Sequence, residues 1–157
     1  MEKPESKQNS TTFHFCSFNI AERHFAVNLL DLREVCQDAH ITPIYHSSDS
    51  VRGYMNIRGQ IHLVLDLRVI LGYPPLQSKD EHNVIIFKQH VGDHFGVLVD
   101  NINGVETVES HSIEEYHPVA NQSEVTLHTP HLYSAVCKLD GKLMLILESR
   151  NFLSTIQ

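Results

Sequence analysis

From residue 12 onward the apolar side chains come in short runs, each cut after a few positions by a turn-forming residue. No feature constrains the fold more. A helix needs apolar residues at a 3.6 period over ten or more positions, whereas short alternating runs between turns specify strands. In HFAVNLL, Phe25, Val27 and Leu29 alternate. In TFHFCSFNI, Phe13 and Phe15 share one face and Phe18 and Ile20 the other, which predicts a bulge or burial of both faces. Ile61, Leu63, Leu65 and Leu67 alternate with His62, Val64 and Asp66, a strand with one mixed face. NVIIFKQH and HFGVLVDNI flank Gly92-Asp93, and AVCKL and KLMLIL flank Asp140-Gly141, so both dipeptides read as hairpin turns. An all-β barrel or sandwich is expected.

Helical signals are few and short. Asp31 can cap a turn across LREV, and Asp66 can cap LRVIL, which Gly72 and Pro74-Pro75 would end. Ser112 and Glu115 have capping-box spacing for one turn before Pro118. A last helix can begin near Ser149, with Phe152, Leu153 and Ile156 turned to the core. Residues 1 to 11 lack a hydrophobic period and read as a disordered tail, leaving 12–157 as the folded domain. The polar stretch PPLQSKDEHN sets an internal boundary near 74–83, and HPVANQSEVTLHTPH reads as a long loop.

Composition narrows the function classes. A formal charge of −7 with no basic block argues against nucleic-acid and anionic-membrane partners. No apolar run reaches the roughly 18 residues of a membrane span, so no membrane insertion is expected. Three widely spaced cysteines fit neither a disulfide framework nor zinc ligation, which points to a reduced, cytoplasmic compartment. The twelve histidines are scattered, and only His128/His131 and His90/His94 have ligand-like spacing. Pro130 disfavours the helix that would bring His128 and His131 to one face. No metal and no cofactor are expected; the histidines are either plain surface imidazoles or a collective charge switch near pH 6. No nucleophile elbow, phosphate loop, dinucleotide fingerprint or H-E-x-x-H occurs, so no catalytic residues are assigned and the chain reads as a binding module rather than an enzyme.

Residues 52–67, RGYMNIRGQIHLVLDL, place Arg58 and Gly59 between two runs that look buried. The pattern Gly53-x-x-Asn56-x-Arg58-Gly59, followed by an apolar strand ending Asp66-Leu67, resembles the signature of the CheW-like family. FNIAERHFAVNLLDLREV resembles that family's first hairpin and V-x-E-V element, GVLVDNINGV the strand and turn around its V-D-x-V motif, and KLDGKLMLILESRNFL its last hairpin and closing helix. Together these cover roughly residues 13 to 155. The resemblance implies two SH3-like five-stranded β-barrels packed together, with short helices including one at the C-terminus. It also implies a cytoplasmic, non-enzymatic adaptor that links the cytoplasmic tip of a methyl-accepting chemoreceptor to the regulatory domain of the histidine kinase CheA. A second role is a stand-alone regulatory scaffold for another signalling partner, for example in type IV pilus control, with a histidine-dependent response to pH or metal.

Residue by residue, the resemblance implies a partly buried Glu34–Arg58 ion pair at the junction of the two barrels. It implies a partner groove lined by Leu32, Val35, Gly53, Val99, Ile102 and Val105, where each apolar side chain could equally be ordinary core. Asn56, Gly59, Asp66 and Asp100 fall at motif turns, Asp100 as a cap or a solvated turn acid. The chain departs from the family at Leu63 and Tyr45, where proline is usual, at Asn101, where glycine is usual, and at Ala135 and Cys137. Leu63 can donate a ladder hydrogen bond that proline cannot, which would make a protected edge pairable.

Overall fold

The computed structural model describes residues 11–75, 82–116 and 130–156. Its strands are β1 (Thr12–Ile20), β2 (Arg23–Asn28), β3 (Leu32–Cys36), β4 (Val51–Ile57), β5 (Gln60–Asp66), β6 (Asn83–Phe87), β7 (Phe95–Val99), β8 (Asn101–Glu109), β9 (Ile113–Glu115), β10 (Tyr133–Leu139) and β11 (Lys142–Leu147). A single short helix, α1 (Leu67–Ile70), follows β5, and the remaining helical pieces are 3₁₀ turns. The strands form two sheets, in the orders β8-β1-β2-β11-β10-β9 and β3-β6-β7-β5-β4. Both are consistent with SH3-like barrels. The first has six strands rather than five because the chain bends at the 3₁₀ turn Ser110–Ser112, so one long excursion becomes β8 and β9 at opposite edges.

Strand alternation decides which core each residue joins. In β6, Val84 and Ile86 face the second sheet's own interior, while Ile85 and Phe87 face the first sheet. In β11, Met144 and Ile146 fill the first sheet's interior, while Leu145 and Leu147 face the second. Three apolar clusters result, one inside each unit and a larger one between them holding Phe18, Phe25, Phe95 and Phe152, all fully buried. Each such ring removed from water contributes on the order of 1.5–3 kcal/mol, so the two units fold against one another and not as separate beads. β1 serves both interiors, Phe15 one way and Cys16, Phe18 and Ile20 the other, and its register with β8 shifts between Ser17 and Phe18.

The units interleave in sequence. β1, β2 and β8–β11 make the first sheet and β3–β7 the second, so β5 and β6, the strands that flank the stretch near 74–83 in sequence, share one sheet. The chain crosses between sheets at Leu29–Asp31 and at Asp100. Several local expectations are corrected. LREV is strand, not helix, because it pairs with β6; the 3₁₀ turn before it is capped by Asn28, whose side chain accepts from the Leu30 amide. Gly92-Asp93 is not a two-residue hairpin, since Val91 turns into the shared core and the loop runs from Lys88 to His94. Glu115 lies in β9, so the Ser112 capping box does not form. The C-terminal helix is two 3₁₀ turns, Ser149–Asn151 and Leu153–Ile156, with Phe152 buried between them. The tail reading, apart from Thr11, and most of the long loop fall outside the described residues.

Other local signals read correctly. Asp140-Gly141 forms a two-residue turn with φ of 50° and 80°. Asp66 accepts from the amides of Arg68 and Val69 at 3.1 and 3.5 Å. α1 stops at Gly72 (φ 95°), with Gly72 N–H donating to the Val69 carbonyl and Tyr73 N–H to that of Arg68, a Schellman closure. Leu63 does not expose an edge: its N–H donates to the His94 carbonyl at 2.9 Å, and β5 lies between β4 and β7.

Candidate functional site

The β4–β5 hairpin answers why Arg58 and Gly59 separate two buried runs. They are its two turn residues, with φ of 49° and 86°, between the paired Ile57 and Gln60. Asn56 Oδ1 accepts from the Gly59 amide at 2.9 Å and holds the turn. The Arg58 guanidinium donates to the Glu34 carboxylate. In that pair Arg58 keeps 65% of its side chain in solvent while Glu34 is half-buried, and both belong to the second sheet, not to the boundary between the units. Glu34 lies on β3 and Arg58 on the β4–β5 turn, so the contact reaches across the open sides of a single sheet.

The backbone closes the same gap more firmly. Beyond β3, Thr42 bridges to Tyr54 of β4 through two reciprocal hydrogen bonds of 2.8 Å. Gly53 permits this approach, since a Cβ there (φ 152°) would lie 2.1 Å from the Thr42 carbonyl oxygen. Gly53 is therefore the residue that lets the sheet close at Thr42. Val99 is likewise committed to the shared core, at 3% exposure.

The other four groove residues lie on strands paired on one side only. Leu32 and Val35 are half-buried on β3, and Ile102 is half-buried on β8 with Val105 at 59% exposure. Leu32 and Ile102 pack against the shared core from opposite sheets, which puts both at the seam. Leu30, which sequence reasoning passed over, stands 72% exposed at the crossing just before Leu32. An isolated apolar residue in a turn gives no periodic signal, so only the coordinates find it.

The charged contacts that join the units are elsewhere. At one crossing, Asp100 accepts from Arg68 of α1 at 2.6 Å and from the Ala21 amide of the β1–β2 turn at 2.9 Å. Both side chains are largely buried, at 15% and 17% exposure. At the other crossing, Asp31 lies 3.0 Å from His90 Nε2 and accepts from Ser149 Oγ at 3.3 Å. Sequence reasoning missed Arg68, His90 and Ser149; Arg68 has a faint signal, standing two residues beyond a helix-capping aspartate. Serine, histidine and aspartate meet here without the geometry of a nucleophile. Both other groups bind the carboxylate, and among the described residues no imidazole nitrogen is paired with the Ser149 hydroxyl to take its proton.

Asp66 is nearly buried; burial pushes its carboxyl pKa up, against the pull of Arg52 at 3.3 Å and the α1 amides. Burial also pushes the Cys16, Cys36 and Cys137 thiols up, which disfavours the thiolate at each. Among the described residues no three histidine, cysteine or acidic side chains converge as a metal site, and no helix is long and apolar enough to cross a membrane.

Known proteins resemble the chain over nearly its whole length. The CheW-like domain model matches residues 14–157. The Chemotaxis protein CheW of Rhizobium meliloti is 26% identical, over 84% of this chain and 81% of its own length. That of Klebsiella aerogenes is 28% identical over 90% and 81%. Among solved structures, the scaffolding protein CheW of Thermoanaerobacter tengcongensis superposes with a TM-score of 0.75 at 27% identity, covering 88% of this chain and 90% of that one. With its interleaved sheets, its Arg58-Gly59 hairpin and this full-length match, the chain belongs to the CheW-like domain family.

Proposed function

We propose that the protein is a non-enzymatic adaptor of a bacterial chemosensory pathway, working in the cytoplasm and joining the cytoplasmic tip of a chemoreceptor to the regulatory domain of the histidine kinase CheA. Family membership and the chemotaxis role named for its relatives support the reading. The observation that carries it is the apolar surface offered by edge strands of the two sheets: Leu32 on β3 and Ile102 on β8 both meet the shared core, and Leu30 and Val105, close to them in sequence, are exposed. An amphipathic receptor helix would lay its apolar side chains on that surface. Half-buried Glu34 on β3 and exposed Arg58 on the hairpin turn form a second, polar contact surface for a partner.

Reconstitution with receptor and kinase tests this reading. Wild type should co-sediment with both and change kinase activity. Val105→Glu should abolish receptor association while the urea midpoint stays put, since the side chain is exposed. Arg58→Ala and Glu34→Ala should weaken coupling without unfolding the chain. Absence of a ternary complex with wild type, or full coupling by Val105→Glu, would overturn the assignment.

A further inference from the structure

At one end of the second unit lies a cavity of about 350 Å³, lined by Arg33, Gln60, His62, Lys88, Gln89 and His94. Every ionisable side chain among these is basic, in a chain whose formal charge is −7. Lys88 has no ion-pair partner among the described residues. The nearest acid to Arg33 is Glu34, 3.9 Å away, and that carboxylate is engaged by Arg58.

His62 is the second observation. It is fully buried, and its Nδ1 lies 3.2 Å from the Gln60 carbonyl, to which it donates. Nε2 is then a bare acceptor, buried and without a partner among the described residues. Such an atom costs about 1–3 kcal/mol unless something bonds to it. The His94 ring meets His62 edge-on, with centroids 5.1 Å apart. Burial lowers the His62 pKa; the Gln60 carbonyl opposes this, His94 and Arg33 add to it, and Glu34 opposes it.

We propose that this cavity is an oxyanion site for a phosphate group. The basic wall supplies the countercharge and the Gln60 amide a neutral donor, while the Gln89 amide already donates to the Asp93 carboxylate at 3.1 Å. A hydrogen phosphate also carries an O–H, which sulfate lacks near neutral pH; donating it to His62 Nε2 requires the ring to turn that buried atom toward the cavity. A bound phosphate anion favours the protonated form of the imidazoles beside it, so phosphate binding and histidine protonation are coupled. Guanidinium and ammonium groups around one small cavity form the usual chemistry of phosphate recognition. The proposal is independent of the adaptor role.

Histidine ring resonances of the full chain, followed by NMR across pH, provide the test. Inorganic phosphate should raise the titration midpoints of His62 and His94 and leave the exposed His111 unmoved, and sulfate at equal ionic strength should do less. Glycerol phosphate, run in parallel, distinguishes a phosphomonoester source from free phosphate by which binds more tightly. Arg33→Gln combined with Lys88→Gln should weaken phosphate binding at least tenfold with the urea midpoint unchanged. If His111 moves as far as His62, if chloride reproduces the shifts, or if the double variant binds as tightly as wild type, the site does not exist.

Discussion

Two arginine–carboxylate pairs stand in this molecule, and they do opposite things. Arg58–Glu34 connects two parts of one sheet, with the arginine mostly in solvent. Arg68–Asp100 is largely dry and lies where the chain crosses from one sheet to the other, with Asp100 also holding the Ala21 amide. In water-exposed pairs the Coulomb gain is offset by solvation and side-chain entropy, leaving little net stability. In a dry pair the loss of one partner strands the other charge, so the contact becomes structurally obligatory even where the intact pair adds little. The motif arginine is therefore free to serve a partner, whereas the unremarked Arg68 orients the fold.

That contrast can be tested from its strongest consequence to its weakest. Gly53→Ala should cost the most, about 2–4 kcal/mol, because the added carbon meets the Thr42 carbonyl and the backbone conformation resists a side chain. Urea unfolding measures it, and a near-neutral result would mean that Thr42–Tyr54 does not close the second sheet. Asp100→Ala should cost about 2–3 kcal/mol by the same method, through loss of hydrogen bonds to a charged arginine and to the Ala21 amide. Asp66→Asn probes pH. Because burial raises this carboxyl above its ordinary value of 3.8, the folded state binds the proton more tightly than the unfolded chain does. Its contribution to stability falls as pH rises from below 3.8 through the raised folded value, and Asp66→Asn should remove that component from the difference in urea midpoints. Arg58→Ala should have the smallest effect on folding, with a midpoint indistinguishable from wild type. Were Arg58→Ala as destabilising as Asp100→Ala, the contrast between the two pairs would collapse.

Much of the local structure was legible because its causes are local. Asp66 caps α1 and Gly72 ends it through bonds spanning a few residues, and Asp140-Gly141 turns because both positions take a left-handed backbone. The misreadings share one origin. LREV, the Gly92 loop and Ser112–Glu115 all carry acceptable short-range signals for other conformations. They are overridden by β6, by the shared core around Val91 and by β10 respectively. Pairing across long sequence separations outweighs a single cap or turn preference.

The candidate site divides the same way. Asn56, Arg58 and Gly59 could be placed from their motif, and the hairpin they form depends on almost nothing else. Gly53 and Val99 could not be told from groove residues, because only the neighbour across the sheet, Thr42 or the shared core, decides their role. By itself the sequence determined most of the strands, the Asp140-Gly141 turn and the alternating faces, since those follow from side-chain period and backbone preference. Tertiary structure decided which carboxylate each arginine meets and which apolar residues reach solvent. Those outcomes depend on how two interleaved sheets, drawn from distant parts of the chain, bury their common face.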